Sequence, residues 1–204
     1  MKKKTAVLIS SVLCLAMSVP AMAAVEFSDS NDVPWEGAKT YISRAAELGL
    51  MVGQENSDGT SVFRAKDQVT YCETMQLAYN LLKECGIAVP SENVTEKWDR
   101  VLEGYKIPKW AREAAAYCLE NGLVDVDDIG GFMDSVGKSL NATRQDVAVI
   151  FGRALAFVYD ADDAKEADFN DGDKLNEDTA QYVYLMADKG ILLGDENSNF
   201  NPDK

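Results

Sequence analysis

The chain has 204 residues, with 20 basic side chains against 34 acidic ones and a formal net charge of −14. So acidic a balance argues against nucleic acid as a partner. There is no histidine, which excludes Ser–His and Cys–His catalysis and most catalytic zinc sites. Carboxylate-pair chemistry stays open, but among 34 acids a chance pair is common.

The first predicted element is a leader. Lys2, Lys3 and Lys4 precede the apolar stretch Ala6 to Val19, and Ala21-Met22-Ala23 gives a small-x-small cleavage site. This is the layout of a secretory signal peptide over residues 1–23. The apolar run is shorter than the roughly 20 residues a bilayer span requires, and Cys14 is not placed as a lipoprotein signal would place it. The mature chain is expected to be secreted, to start near Ala24, and to have no membrane contact after cleavage. It keeps Cys72, Cys85 and Cys118, an odd count that rules out a fully paired framework. Cys72 and Cys85 fall on one predicted helix, roughly 20 Å apart, too far for a disulfide within it. Cys118 pairing with either one and buried free thiols remain the two alternatives.

The rest of the chain repeats. Gly49-Leu50-Met51-Val52-Gly53-Gln54-Glu55-Asn56-Ser57 returns as Gly190-Ile191-Leu192-Leu193-Gly194-Asp195-Glu196-Asn197-Ser198, 141 positions on. A weaker middle copy begins at Gly122-Leu123-Val124, 73 positions after the first. Internal repetition of this length decides architecture. Each copy opens with a helical stripe: Ala38, Tyr41, Ile42, Ala45 and Ala46; then Ala111, Ala114, Ala115, Cys118 and Leu119; then Thr179, Tyr182, Val183, Met186 and Ala187. Each stripe ends at Gly49, Gly122 or Gly190, the usual helix stop. Three equivalent helices sharing one core are expected.

A polar turn follows each glycine, then an apolar residue (Phe63, Val136, Phe200), then a second helix. Thr70 with Glu73 and Thr143 with Asp146 read as capping boxes. The stripes that follow are Met75, Ala78, Leu81 and Leu82, and Ala148, Phe151, Ala154 and Leu155. In the third copy the corresponding cap would fall near position 207, beyond Lys204. The expected division is therefore a leader at 1–23 and copies at 24–89, 90–162 and 163–204. The last copy is expected to lack its second helix, either as a fragment of a longer protein or as an unfinished repeat, the first being favoured.

Phe27-Ser28-Asp29, Phe169-Asn170-Asp171, the Gly-apolar-apolar-apolar-Gly turn, Asn199-Phe200-Asn201-Pro202 and Thr143-Arg144-Gln145-Asp146 together resemble the S-layer homology repeat. The resemblance covers nearly the whole mature chain. It implies an all-α, pseudo-threefold array of helix-loop-helix repeats around a central helical bundle, with little or no strand. It also implies a non-catalytic, cofactor-free anchor at the cell wall or S-layer. Its partner would be a secondary cell-wall polysaccharide, often pyruvylated, or a peptidoglycan-linked glycan, held in grooves between repeats. Of the family's ligand arginines only Arg144 is matched; Tyr71 stands at that place in the first copy. Trp110 and Trp35 match the aromatic helix start. A degenerate scaffold without glycan binding, the tether of an enzyme lying elsewhere, and self-assembly through a missing C-terminal region are the alternatives.

The candidate ligand residues are accordingly Arg144 and Thr143, Trp110 with Lys109 and Arg112, Trp35, and Tyr71. Arg144 opens a helix, where a cation opposes the dipole; a guanidinium beside free helix-end amides suits a carboxylate. Segment 97–112 sets Lys97, Arg100, Lys106, Lys109 and Arg112 among Trp98, Tyr105 and Trp110. It reads either as a sugar-stacking, anion-holding patch or as core aromatics with solvated charges. Asp168 to Asp173 fails the calcium-loop pattern, with Gly172 and Asp173 at positions five and six, so no metal is expected.

Overall fold

The computed structural model describes residues 27–87 and 93–204; the leader lies outside them. The fold is predominantly helical: α1 (Ala38–Glu47), α2 (Tyr71–Glu84), α3 (Val94–Gly104), α4 (Arg112–Glu120), α5 (Arg144–Leu155) and α6 (Ala180–Asp188). Among the described residues the one sheet is a two-stranded hairpin, β1 (Gln54–Glu55) and β2 (Ser61–Val62), with Gln54 opposite Val62.

The repeated glycine is a backbone requirement. Gly49, Gly122 and Gly190 have φ of 70°, 69° and 68°, which a Cβ disfavours. Each lets the chain fold back on its helix. The amides of Leu50, Leu123 and Ile191 donate to the carbonyls of Ala45, Cys118 and Met186 at 2.9, 2.8 and 2.9 Å. Both capping boxes form. The Thr70 amide donates to Glu73 Oε2 at 2.9 Å, and the Thr143 amide to Asp146 Oδ2 at 2.9 Å.

The Phe-x-Asp pairs close each outer copy in the same way. Phe27 lies 5.4 Å from Phe63 and Phe169 lies 5.2 Å from Phe200, ring centre to centre. The Asp29 carboxylate accepts the amides of Phe63 and Arg64 at 2.8 and 2.7 Å. Asp171 accepts those of Phe200 and Asn201 at 2.6 and 2.8 Å. Burial works to raise the Asp29 pKa, but the amides of Phe63 and Arg64 outweigh it and hold the carboxyl below its ordinary value. Between Gly53 and Phe63 the first copy has four more residues than the third has between Gly194 and Phe200. The β1–β2 hairpin lies within that longer stretch.

Two seams join the copies. The helix that ends at the repeated glycine in each following copy packs on the last helix of the copy before: α4 on α2, and α6 on α5. The α2 and α5 helices also pack on each other. One apolar cluster holds α2, α3 and α4, with Met75, Leu82, Leu102, Tyr117 and Ile129 inside it. A second joins α5 to copy three through Ala148, Val149, Leu175, Val183 and Phe200.

The expectation of three equivalent helices in one core is therefore corrected. The stripe of α4 is fully buried, but in α1 only Ala38 and Ala46 are, and Tyr41 is 72% exposed. The reason is the partner. The surface of copy three that α5 covers corresponds, in copy one, to an open cavity of about 400 Å³ lined by Phe27, Val33, Ile42, Phe63 and Ala65. Among the described residues no hydrogen bond joins copy three to copy one.

Val136, expected inward, is 81% exposed at the tip of a turn whose Asp134 carboxylate accepts the amides of Val136 and Lys138. Phe132 and Met133 are buried in its place. Among the described residues helix α3 has no counterpart in the other copies. Val94, Trp98 and Leu102 fall four residues apart on one face and pack on α4.

Candidate functional site

The first turn of α5 meets copy three. The Arg144 amide donates to the Lys204 carbonyl at 2.7 Å, and the Gln145 amide to that of Pro202 at 3.0 Å. The Arg144 guanidinium donates through Nη2 to the Leu193 carbonyl at 2.8 Å and sits 5.1 Å from the Phe200 ring centre. Its Nε is buried with no partner among the described residues.

Tyr71 occupies the same seat one seam earlier. Its amide donates to the Leu140 carbonyl at 3.0 Å. Its ring stacks on Phe132 at 4.0 Å, with 2° between planes. Its hydroxyl donates to Asp146 Oδ2 at 2.5 Å, the carboxylate that caps α5. Burial first, then that carboxylate, push the phenol above its ordinary pKa.

A cavity of about 290 Å³ runs along α5 and is lined by all three copies. Its floor is apolar: Leu123, Val124, Phe132, Val149 and Ile150. Its polar rim comes from Tyr71, Asp128, Gln145, Asp146 and Arg153, with Asn176 and Thr179 from copy three. Gln145 Oε1 accepts the Asn176 amide at 2.9 Å. Arg153 donates to the Leu123 carbonyl at 3.3 Å and to Asp125 at 2.8 Å. In copy one Asn80 makes the matching bond to the Leu50 carbonyl at 3.1 Å.

Tyr71, Thr143 and Arg144 thus gather around one helix turn. The other sequence candidates do not join them. Trp35 and Trp110 are 60% and 56% exposed, and neither lines the groove. Arg112 donates to the Ile107 carbonyl and pairs with Asp99 at 3.1 Å. Lys97 pairs with Glu120, which also accepts the Trp98 indole, and Lys106 donates to the Ser135 carbonyl. Lys109 is exposed and has no side-chain partner among the described residues. The basic stretch 97–112 is thus largely spent in local pairs rather than massed in one patch. The sequence reading missed Gln145, Arg153, Asn176 and Thr179. Gln145 adjoins the recognised motif; the others reach the groove only through packing of α5 on α6.

A family model for the S-layer homology domain matches residues 26–73 and again 168–204. The chain carries S-layer homology repeats. No curated protein and no solved structure matches it. S-layer homology domains are non-catalytic anchoring modules that bind secondary cell-wall polymers, and they occur in cell-surface and S-layer-associated proteins. The two matched segments are the copies closed by Phe-x-Asp, and the middle copy between them keeps the same helix stop and capping box. No helix among the described residues is long and apolar enough to cross a membrane.

Proposed function

We propose that the chain is a secreted, three-copy wall anchor, with a leader at 1–23 and copies at 24–89, 90–162 and 163–204. It binds an anionic, pyruvylated secondary cell-wall polysaccharide at the seam of copies two and three. The observation that carries this is Arg144. Its guanidinium is held half-buried against Phe200 and keeps a buried Nε donor unpaired. Buried donors are nearly always satisfied; this one is covered by the protein itself, so a ligand oxygen reaches it only as the side chain shifts. A carboxylate there also gains from the charge. Thr143 fixes the turn that presents Arg144, while Trp35, Trp110, Lys109 and Arg112 serve as outlying contacts at most.

The test is a pull-down on purified pyruvylated wall material, with wild type and Arg144→Ala. Loss of binding in the variant, with an unchanged circular dichroism melt, supports the reading. Equal binding overturns it. A scaffold without glycan binding is favoured at the first seam, where the Tyr71 hydroxyl is already committed to Asp146. That seam is expected to bind nothing, so the stoichiometry at this pair of seams is one site per chain.

A further inference from the structure

We propose that residues 202–204 of copy three are a latch over Arg144, closed in the free chain and released as an anionic ligand takes the guanidinium; this rests on the polymer-binding reading above. Among the described residues, the contacts of Arg144 with copy three come from one stretch. Its amide meets the Lys204 carbonyl at 2.7 Å, and its Nη2 the Leu193 carbonyl at 2.8 Å. The guanidinium lies 5.1 Å from the Phe200 ring centre, and Nε is covered. The arginine is thus stowed, its donors turned to the protein's own acceptors.

The stretch divides at Asn201. Up to that residue it is pinned. Phe200 is fully buried, and the Asp171 carboxylate accepts the Phe200 and Asn201 amides. Asn201 has φ of 59°, a left-handed conformation uncommon away from glycine, and its side-chain amide donates to Asp195 at 2.9 Å. Beyond Asn201, two hydrogen bonds among the described residues cross the seam. They run from the Arg144 and Gln145 amides to the Lys204 and Pro202 carbonyls. Pro202 is buried, while Asp203 and Lys204 are exposed. Residues 202–204 can therefore lift about a fixed Asn201 and leave the Phe200 core in place.

Acceptor chemistry sets the direction. The Leu193 and Pro202 carbonyls are uncharged, and a carboxylate makes hydrogen bonds roughly twice as strong. A ligand moves such an equilibrium only by binding one state better than the other. The closed state covers Nε, so a carboxylate favours the open one. The apparent affinity is then reduced by the fraction of chains that are open. Copy three tunes the site in this way, and occupation of the site loosens the end of copy three.

The experiment places a nitroxide on Asp203→Cys in a Cys85→Ser chain and follows its mobility by electron paramagnetic resonance. The label is expected to be slow in the free chain and mobile once purified pyruvylated wall polymer is added. Arg144→Ala should leave it slow in the presence of polymer. Pro202→Gly keeps both carbonyl acceptors but removes the buried ring and frees the backbone. It should bind the polymer about two- to fivefold more tightly. A ligand-free measurement separates the latch from the anchor reading. Phenylglyoxal should modify Arg144 faster in Pro202→Gly than in wild type, while Arg153, held by Asp125 and Tyr182, reacts at the same rate in both. Faster reaction at Arg153 as well would mean general loosening and overturn the latch. So would a label that stays slow while polymer binds, no gain in affinity in Pro202→Gly, or equal reaction of Arg144 in the two chains. A polymer that fails to bind wild type removes the anchor reading, and the phenylglyoxal rates then judge the latch by themselves.

Discussion

The Tyr71 hydroxyl donates to Asp146 Oδ2 at 2.5 Å, so the capping carboxylate of one copy's helix is also the anchor for the helix start of the copy before. The same oxygen accepts from the Thr143 amide and hydroxyl at 2.9 and 2.7 Å. Tyr71→Phe keeps the stacking on Phe132 and deletes one bond to a charged acceptor. It should cost about 1.5–3 kcal/mol in urea unfolding. The pH dependence has a definite sign. The folded phenol is raised above its ordinary value, so its contribution is constant below about pH 10 and is lost as pH rises beyond that. Wild type should lose stability at alkaline pH more steeply than Tyr71→Phe. Parallel alkaline profiles for the two would show that the bond does not couple the copies.

Gly152 sets how closely α5 approaches α6. A Cβ there would lie 2.6 Å from the Tyr182 carbonyl oxygen and 2.7 Å from the Tyr182 Cβ. Since backbone must move, Gly152→Ala should destabilise by about 1–3 kcal/mol, despite the better helix propensity of alanine. Gly104, at the end of α3, has nothing within 4 Å of such a Cβ. Gly104→Ala should therefore stabilise by about 0.5–1 kcal/mol. Thermal melts of the two variants should move in opposite directions.

Much of this was legible because it is local. Thr70 with Glu73 and Thr143 with Asp146 announce their own helix starts, and the glycines their stops, since each motif works through neighbouring backbone groups. Burial was less legible. The Tyr41 stripe and the Cys118 stripe look alike in sequence, yet only the second meets a partner helix. A periodic pattern states which face is apolar and not what covers it. Helix α3 escaped notice because its charged residues hid three apolar ones at four-residue spacing. At the candidate site, the motif alone points to Arg144 and Tyr71. Arg153 and Asn176 depend on which copy packs where, and no local spacing encodes that.

The cysteines give a chemical check. Cys72 and Cys118 are buried and Cys85 is exposed, all as free thiols. Burial raises the Cys118 thiol and, against a bond from Ser139, the Cys72 thiol above their ordinary values. Of these three, a thiol reagent should therefore modify Cys85 alone in the native chain, and all three in urea. Cys85→Ser should abolish the native reaction. Fast labelling of Cys118 would mean that the α2–α4 seam opens.

The two equivalent aspartates should not be equivalent in energy. Asp171 is buried with its two amide donors, beside a copy that α5 covers. Asp29 makes the same two bonds at the open cavity beneath α1, where water can replace a lost partner. Removing a buried acceptor strands its donors, so Asp171→Ala should cost about 2–4 kcal/mol and Asp29→Ala about 1–2. Because the Asp29 carboxyl is held low, its contribution is present above about pH 4 and is lost as pH falls through the folded value. Acid should therefore loosen copy one early. Hydrogen exchange followed from pH 6 to pH 3 should show α1 amides less protected than those of α4 throughout, and the gap widening as pH drops. Equal protection of α1 and α4 would mean that α1 is covered in solution, and that its exposed Tyr41 face is not free.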